Sequence, residues 1–287
     1  MGTTVVKLTM LSSMADAHFE PALEKMARWD IDVLDLKDGI FGRNVTDLTD
    51  EEAARARQLI DAKGMSVHCL STGLFSGDIE DGEAAFEKHR GGVARIIEIA
   101  RVLRPHFIRL MSASCSRRGE IADSAAYIGE NCPWLIGLYS EAIDAISDAG
   151  FAVTIENGIG GSIFANPSEI LRLFEMLRRR GRVSLTWDVQ NLWLEGTFPS
   201  LGVYRALKPL IGYVHLKGGM AEAGGTALRW LSTLEDASWP VLEITRQVVA
   251  DGTSPVICLN DPHGDLRGGY DGSDIAHRDL EFLRRCM

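Results

Sequence analysis

Three apolar runs in the second half of the chain each end in a residue that can do chemistry. Phe151-Ala152-Val153-Thr154-Ile155 ends at Glu156, and Val183-Ser184-Leu185-Thr186-Trp187 ends at Asp188. Ile211-Gly212-Tyr213-Val214 ends at His215, followed by Leu216 and Lys217. Two carboxylates and an imidazole suit a divalent cation, Mn²⁺ first, with Mg²⁺, Co²⁺ or Zn²⁺ also fitting the donor types. Glu156 and Asp188 are 32 residues apart and Asp188 and His215 are 27 apart, each about one strand–helix–strand step. Strand C-termini of a parallel sheet or barrel open on one face, so the three side chains converge there. A polar residue ending a strand is often a first loop residue or a helix cap. Three at successive strand ends weigh for a site.

The elements that must position them are legible. Between Glu156 and Asp188, Asn166 as cap, Pro167 at the first helical position and Glu169 near the capping-box place start a helix. Arg178, Arg179, Arg180 and Gly181 mark its stop. Earlier strands are expected over Val5–Met10, Ile31–Leu36, Met65–Leu70 and His106–Met111, and a final one over Pro255–Leu259. Helices are expected over Pro21–Trp29, after the capping box Thr49–Glu52, over Glu83–Leu103, on to Ala149 with a break near Pro133, over Pro240–Ala250 and over Ser273–Arg285. Ser71–Gly82 reads as a functional loop, and the stretch after Gly219 as irregular and glycine-rich. Eight strands, each followed by helix, with no break in composition over residues 1–287, predict a single-domain (β/α)8 TIM barrel. A doubly wound open sheet is the second reading. No G-x-G-x-x-G follows the first strand, which speaks against a dinucleotide site.

Composition narrows the partners. The chain has 287 residues, 46% apolar, with a formal net charge of −10. That charge disfavours nucleic acid and anionic membranes, whose phosphates need a cationic surface. No apolar run reaches the length of a membrane span. Cys69, Cys115, Cys132, Cys258 and Cys286 are scattered, odd in number and form no C-x-x-C. With no signal-peptide pattern at the start, this predicts a reducing, cytoplasmic setting. Exposed helix faces allow subunits to pair as a homo-oligomer.

Thr154-Ile155-Glu156-Asn157, Thr186-Trp187-Asp188 and Tyr213-Val214-His215-Leu216-Lys217 resemble the xylose isomerase-like TIM barrels. These include sugar phosphate isomerases/epimerases, the tagatose/psicose 3-epimerases and endonuclease IV. The resemblance implies a divalent metal held by Glu156, Asp188 and His215, with a glutamate from strand eight as the fourth ligand. Here that position is Asn260, with Asp261 and His263 close behind. A second departure is Asn191, where the family often has histidine three residues after the aspartate. The epimerases use the strand-five and strand-eight glutamates as a pair on opposite faces of one carbon. Asn260 cannot do acid–base work, so Glu156 would be the single carboxylate base.

Further candidates surround this core. Lys37 and Lys217 end strands two and seven and suit a substrate carboxylate, phosphate or enolate oxygen. His68 and Arg109, inside strands three and four, either reach the mouth as substrate contacts or are core residues. His263 sits in a polar mouth loop as a second participant in proton transfer, and Trp193 is placed to wall a sugar site. His18, His89 and His277 read as surface or helix residues. The leading expectation is a metal-dependent isomerase or epimerase acting on a small carbohydrate or keto sugar acid through an enediolate, with Glu156, Lys217 and His263 as the catalytic set. The Asn260 departure makes a decarboxylating or dehydrating lyase the alternative. A DNA-repair endonuclease would need more His and Glu ligands than these strand ends supply, and a non-catalytic sugar-binding barrel is the remaining class.

Overall fold

A computed structural model describes residues 6–269 and 272–287. Among these, eight parallel strands form the wall of a (β/α)8 barrel. They are β1 (Lys7–Met10), β2 (Val33–Leu36), β3 (Ser66–Ser71), β4 (Phe107–Met111), β5 (Ala152–Glu156), β6 (Val183–Asp188), β7 (Ile211–Leu216) and β8 (Val256–Leu259). Neighbours pair in the order β1-β8-β7-β6-β5-β4-β3-β2. At the β1/β2 seam the wall is completed by a bridge between Leu11 and Asp35 and by a 2.5 Å hydrogen bond from Thr9 Oγ1 to the Val33 carbonyl. Of the first expected strand, Val5 lies outside the described residues.

The helices follow the local signals. Thr49 and Glu52 exchange both bonds of a capping box, at 3.1 and 2.9 Å, and start the helix Asp50–Ala62. The expected helix over Glu83–Leu103 is instead two, Glu83–Phe86 and Lys88–Leu103, and it breaks at Glu87, not at Gly91 and Gly92. Gly92 lies within the second helix and faces Leu74, whose Cδ2 would lie 2.4 Å from an added Cβ. Pro133 divides Ser124–Asn131 from Pro133–Asp148 as the missing N–H requires. The stretch after Gly219 is less irregular than expected, since Met220–Ala221 and Leu228–Trp230 form a small hairpin.

Strand alternation sorts the side chains into two cores. Outward residues such as Ile155, Trp187, Val214 and Ile257 pack under the helices, each burial contributing roughly 1.5–3 kcal/mol. Inside the barrel, Val33, Cys69, Phe107, Tyr213, Val256 and Cys258 form a separate apolar plug. Polar side chains sit above it, among them Asp35, Arg109, Glu156, Asp188 and His215, all at most 4% exposed. Burying that many charges is unfavourable unless they pair.

Two register shifts decide who faces inward. Leu185 pairs with Ile211, but Thr186 pairs with Tyr213, so Gly212 is an extra residue in β7. Asp188 therefore stands level with His215. Unshifted, it would stand level with Val214, which faces the helices. Likewise Leu34 pairs with Val67 and Asp35 with Cys69, leaving His68 as the extra residue in β3. Bulges of this kind re-aim side chains beside active sites.

Candidate active site at the strand C-termini

Glu156 ends β5 and is 2% exposed. Its Oε2 accepts a hydrogen bond from Arg109 Nη1. Its Oε1 accepts from Asn191 Nδ2 at 3.3 Å and lies 3.4 Å from His215 Nδ1. Burial alone would raise its pKa, but the Arg109 guanidinium and the His215 ring hold it well below the usual carboxylate range. Arg109, anchored by Nη2 on the Thr72 carbonyl at 2.8 Å, is thus the partner of Glu156 and also lines the mouth.

Asp188 serves two purposes. Its Oδ1 accepts from the Asn191 amide at 2.9 Å and caps the helix Val189–Leu194. The helix-cap and site readings of this residue coexist, because Oδ2 is left over. Oδ2 lies 2.9 Å from Lys217 Nζ as an ion pair, yet it is fully buried and has no contact of hydrogen-bond geometry. Asn157 fixes the Asp188 backbone from both sides, with Nδ2 donating to its carbonyl at 2.8 Å and Oδ1 accepting from its amide at 2.9 Å.

His215 is fully buried, with each ring nitrogen facing a carboxylate. Nδ1 faces Glu156, and Nε2 lies 3.5 Å from Asp35 Oδ2. Burial would lower its pKa, but Glu156 and Asp35 outweigh it and raise it to about 9. The terminal amide of Asn260 lies 2.9 Å from Nδ1, and either amide atom can be turned towards the ring. Asn260 therefore stands at the edge of this cluster.

One carboxylate oxygen from each of Glu156 and Asp188 and one ring nitrogen of His215 lie within 4.8 Å of one another. Ligand atoms around a divalent ion with bonds of about 2.1 Å sit roughly 3–4 Å apart. The donor set fits such an ion, and Asp188 Oδ2, which accepts no hydrogen bond and has Lys217 beside it as an ion pair, is one of its three donors. Asp35, His215 and Cys258 form a second, deeper group of the same span.

Above the cluster opens a cavity of about 190 Å³, lined by Lys37, Arg109, Glu156, Asn191, Lys217, Asn260, Asp261 and His263 with Leu11, Met111 and Ile159. Lys217 Nζ donates to Asn191 Oδ1 and meets His263 Nε2, each at 2.9 Å. Burial and the Lys217 charge lower His263 to about 4, so its ring is neutral and can accept. Burial raises Asp261. Lys37 is half-exposed at the rim, 3.6 Å from Asp38.

Two sequence candidates lie away from the mouth. His68, the bulged residue of β3, packs between His106, Phe107 and Tyr213. Trp193 is buried, donates its indole N–H to the Thr226 carbonyl and meets Phe198 edge-on. His89, on its helix, is buried and accepts from the Phe75 amide at 3.2 Å. Sequence reasoning gave no role to Asp35, Asn157 or Gln190. Gln190 ties the mouth loop down, accepting from the His263 amide at 2.7 Å and donating to the Gly218 carbonyl. Asn157 was signalled only by its place in the Thr154–Asn157 motif beside Glu156, and Gln190 only by an amide two residues after Asp188.

A family model described as xylose isomerase-like TIM barrel matches residues 23–286. The sequence matches no curated protein. Among solved structures, the probable 3-DHS dehydratase AsbF of Bacillus anthracis superposes with a TM-score of 0.71 at 15% identity, covering 97% of this chain and 98% of that one. A xylose isomerase-like TIM barrel protein from Mycobacterium smegmatis, in complex with magnesium, gives 0.72 at 14% identity, covering 100% and 98%. D-psicose 3-epimerase from Clostridium cellulolyticum H10, with D-tagatose, gives 0.70 at 12% identity, covering 98% and 99%. At these identities the likeness is one of fold.

Proposed function

The chain belongs to the xylose isomerase-like TIM barrel family, and from that premise we propose that it is a divalent-metal-dependent isomerase or epimerase of a small keto sugar or keto sugar acid. The observation that carries this reading is the buried Glu156–Asp188–His215 cluster at the floor of the mouth cavity. Glu156, Asp188 and His215 would hold the ion, Mn²⁺ by preference, with Asn260 completing the set through its amide oxygen. Bound there, the ion would polarise adjacent carbonyl and hydroxyl oxygens of the substrate.

The chain's own residues do the rest. Arg109 keeps Glu156 ionised, so its carboxylate is ready to take a proton from the substrate carbon at neutral pH. Lys217 neutralises Asp188 and presents an ammonium at the cavity wall. Neutral His263, bonded to Lys217, provides the second proton-transfer group on the mouth loop. Lys37 at the rim suits an anionic end of a sugar acid. In D₂O, deuterium should enter the substrate carbon of a keto sugar during turnover, and Glu156→Gln should lower the exchange rate by about 10²–10⁴-fold. Unchanged exchange in that variant would sink the proposal.

One observation favours a second reading. The residue beside His215 at the end of β8 is an amide, Asn260, and not the glutamate that the resemblance implies as the partner of Glu156. One base suffices for loss of water or carbon dioxide. The neighbours include epimerases and a probable dehydratase, and so support both directions. Stoichiometric release of water or carbon dioxide, without exchange into recovered substrate, would move the assignment to a lyase.

A further inference from the structure

Asp35 is a carboxylate that the scheme above does not use. It is completely buried, in the lumen of the barrel, below the mouth. A buried, ionised carboxylate persists only where partners offset its desolvation, which amounts to several kcal/mol. Its Oδ2 accepts from Tyr213 Oη at 2.9 Å and lies 3.5 Å from His215 Nε2, while Oδ1 has no hydrogen-bond partner. His215 Nε2 is likewise buried without a hydrogen-bond partner. The register shift at His68 sets Asp35 level with inward-facing Cys69. The bridge to Leu11 fixes its backbone at the seam of the barrel. Two rare features of the wall, a bulge and the closing bridge, thus converge on one side chain.

We propose that Asp35 is the positioning residue of His215: it accepts the Nε2–H, and so turns the Nδ1 lone pair towards Glu156 and Asp188. Tyr213, which donates to the same oxygen, sets how much of Asp35 is available. No other carboxylate among the described residues pairs with that nitrogen. A carboxylate behind a metal-ligating histidine fixes the ring's orientation and raises its basicity. The assignment rests on the proposed metal reading for its affinity readout, but not for its proton readout.

The test uses the full chain labelled with ¹⁵N-histidine, as wild type, Asp35→Asn and Tyr213→Phe. In wild type a slowly exchanging, ¹⁵N-coupled proton on His215 Nε2 should appear far downfield. Asp35→Asn should move it upfield. Tyr213→Phe should move it further downfield, because Asp35 loses its competing donor. This pair of opposite shifts is not what a merely structural residue gives, and Tyr213→Phe keeps the test alive should Asp35→Asn fail to fold. Free Mn²⁺, followed by its EPR signal, should bind 10–100-fold more weakly to Asp35→Asn, an order-of-magnitude expectation for such outer partners. An Nε2–H signal and a Mn²⁺ affinity unmoved in Asp35→Asn would overturn the proposal. If wild type binds no Mn²⁺ but the two proton shifts appear, the metal reading fails and the Asp35 assignment stands. A thiolate-to-metal band on adding Co²⁺ would place the ion at Cys258 and Asp35, and would overturn it.

Discussion

Lys217 Nζ lies 2.9 Å from Asp188 Oδ2, and the same ammonium reaches Asn191 Oδ1 and His263 Nε2 at 2.9 Å each. Two of its protons are matched by Asn191 Oδ1 and His263 Nε2, and Asp188 faces it as an ion pair. Lys217 therefore ties Asp188, Asn191 and His263 together at the mouth. Removing it by Lys217→Met leaves Asp188 a buried carboxylate with no cation beside it. Loss of one partner of a buried pair destabilises by about 3–5 kcal/mol. Chemical denaturation should show a loss of that order. His263→Ala should differ, with little change in stability and a free ammonium proton at the cavity wall. A Lys217→Met protein as stable as wild type would show that the pair contributes nothing.

The two ring nitrogens of His215 make metal binding compete with protonation. Burial opposes the charged ring, but Glu156 and Asp35 raise its pKa to about 9. A proton on Nδ1 must leave before an ion can bind there. Below pH 9 the apparent metal affinity should thus rise with pH by up to about tenfold per unit, and level off above it. In the metal-free protein the sign reverses. A histidine whose folded pKa is raised contributes its full stability below about 6.5, its ordinary value, and loses it as pH rises through about 9. Metal titrations at several pH values, paired with thermal melts in chelator, check both slopes. Affinity independent of pH would exclude His215 as a ligand.

The strand ends that carry Glu156, Asp188 and His215 were legible because three successive apolar runs, each about one strand–helix step apart, end in a polar residue and the C-termini of parallel strands share one face. Asp35 was not. The run Ile31–Leu36 holds two aspartates, and alternation cannot say which faces the lumen. Asp32 is exposed and pairs with Lys7, while Asp35 is completely buried. The register shift opposite it, at His68, arises from pairing between strands, which no local pattern encodes. The same shift explains why His68, readable as a mouth residue, lies among aromatic rings instead. The hairpin after Gly219 is not legible in the sequence because strands of two and three residues carry no period.

Asn260 lies beside His215 Nδ1, where the family resemblance expects a glutamate. Asn260→Asp keeps the shape and adds a charge. Extra ligand charge tightens divalent sites, so Mn²⁺ affinity should rise by about tenfold in this variant. The barrel lumen already holds Asp35, Glu156 and Asp188, so without metal the added carboxylate should destabilise the fold. A higher metal affinity together with a lower melting temperature in chelator is the expected signature. Should neither change, Asn260 stands outside the metal's reach, and the fourth ligand belongs to another residue or to solvent.

Gly212 sets the level of Asp188 and His215, two of the proposed metal ligands. It is the extra residue that places Asp188 opposite His215. A Cβ on Gly212 would come within 2.4 Å of Ser184 Oγ and 2.8 Å of Ser184 Cβ, and 3.4 Å from Phe107. The hydroxyl can rotate away, but the Ser184 Cβ cannot. The bulge must then deform, or β6 and β7 must separate. Overpacking of this kind destabilises by about 1–3 kcal/mol. Gly212→Ala should therefore lower stability by that amount and also weaken metal binding, because a shift of β7 moves His215 relative to Asp188. Ser184→Gly should restore both in the double variant, as it removes the atom that the new methyl meets. Rescue of stability without rescue of metal binding would separate the packing role of Gly212 from its role in registering the site.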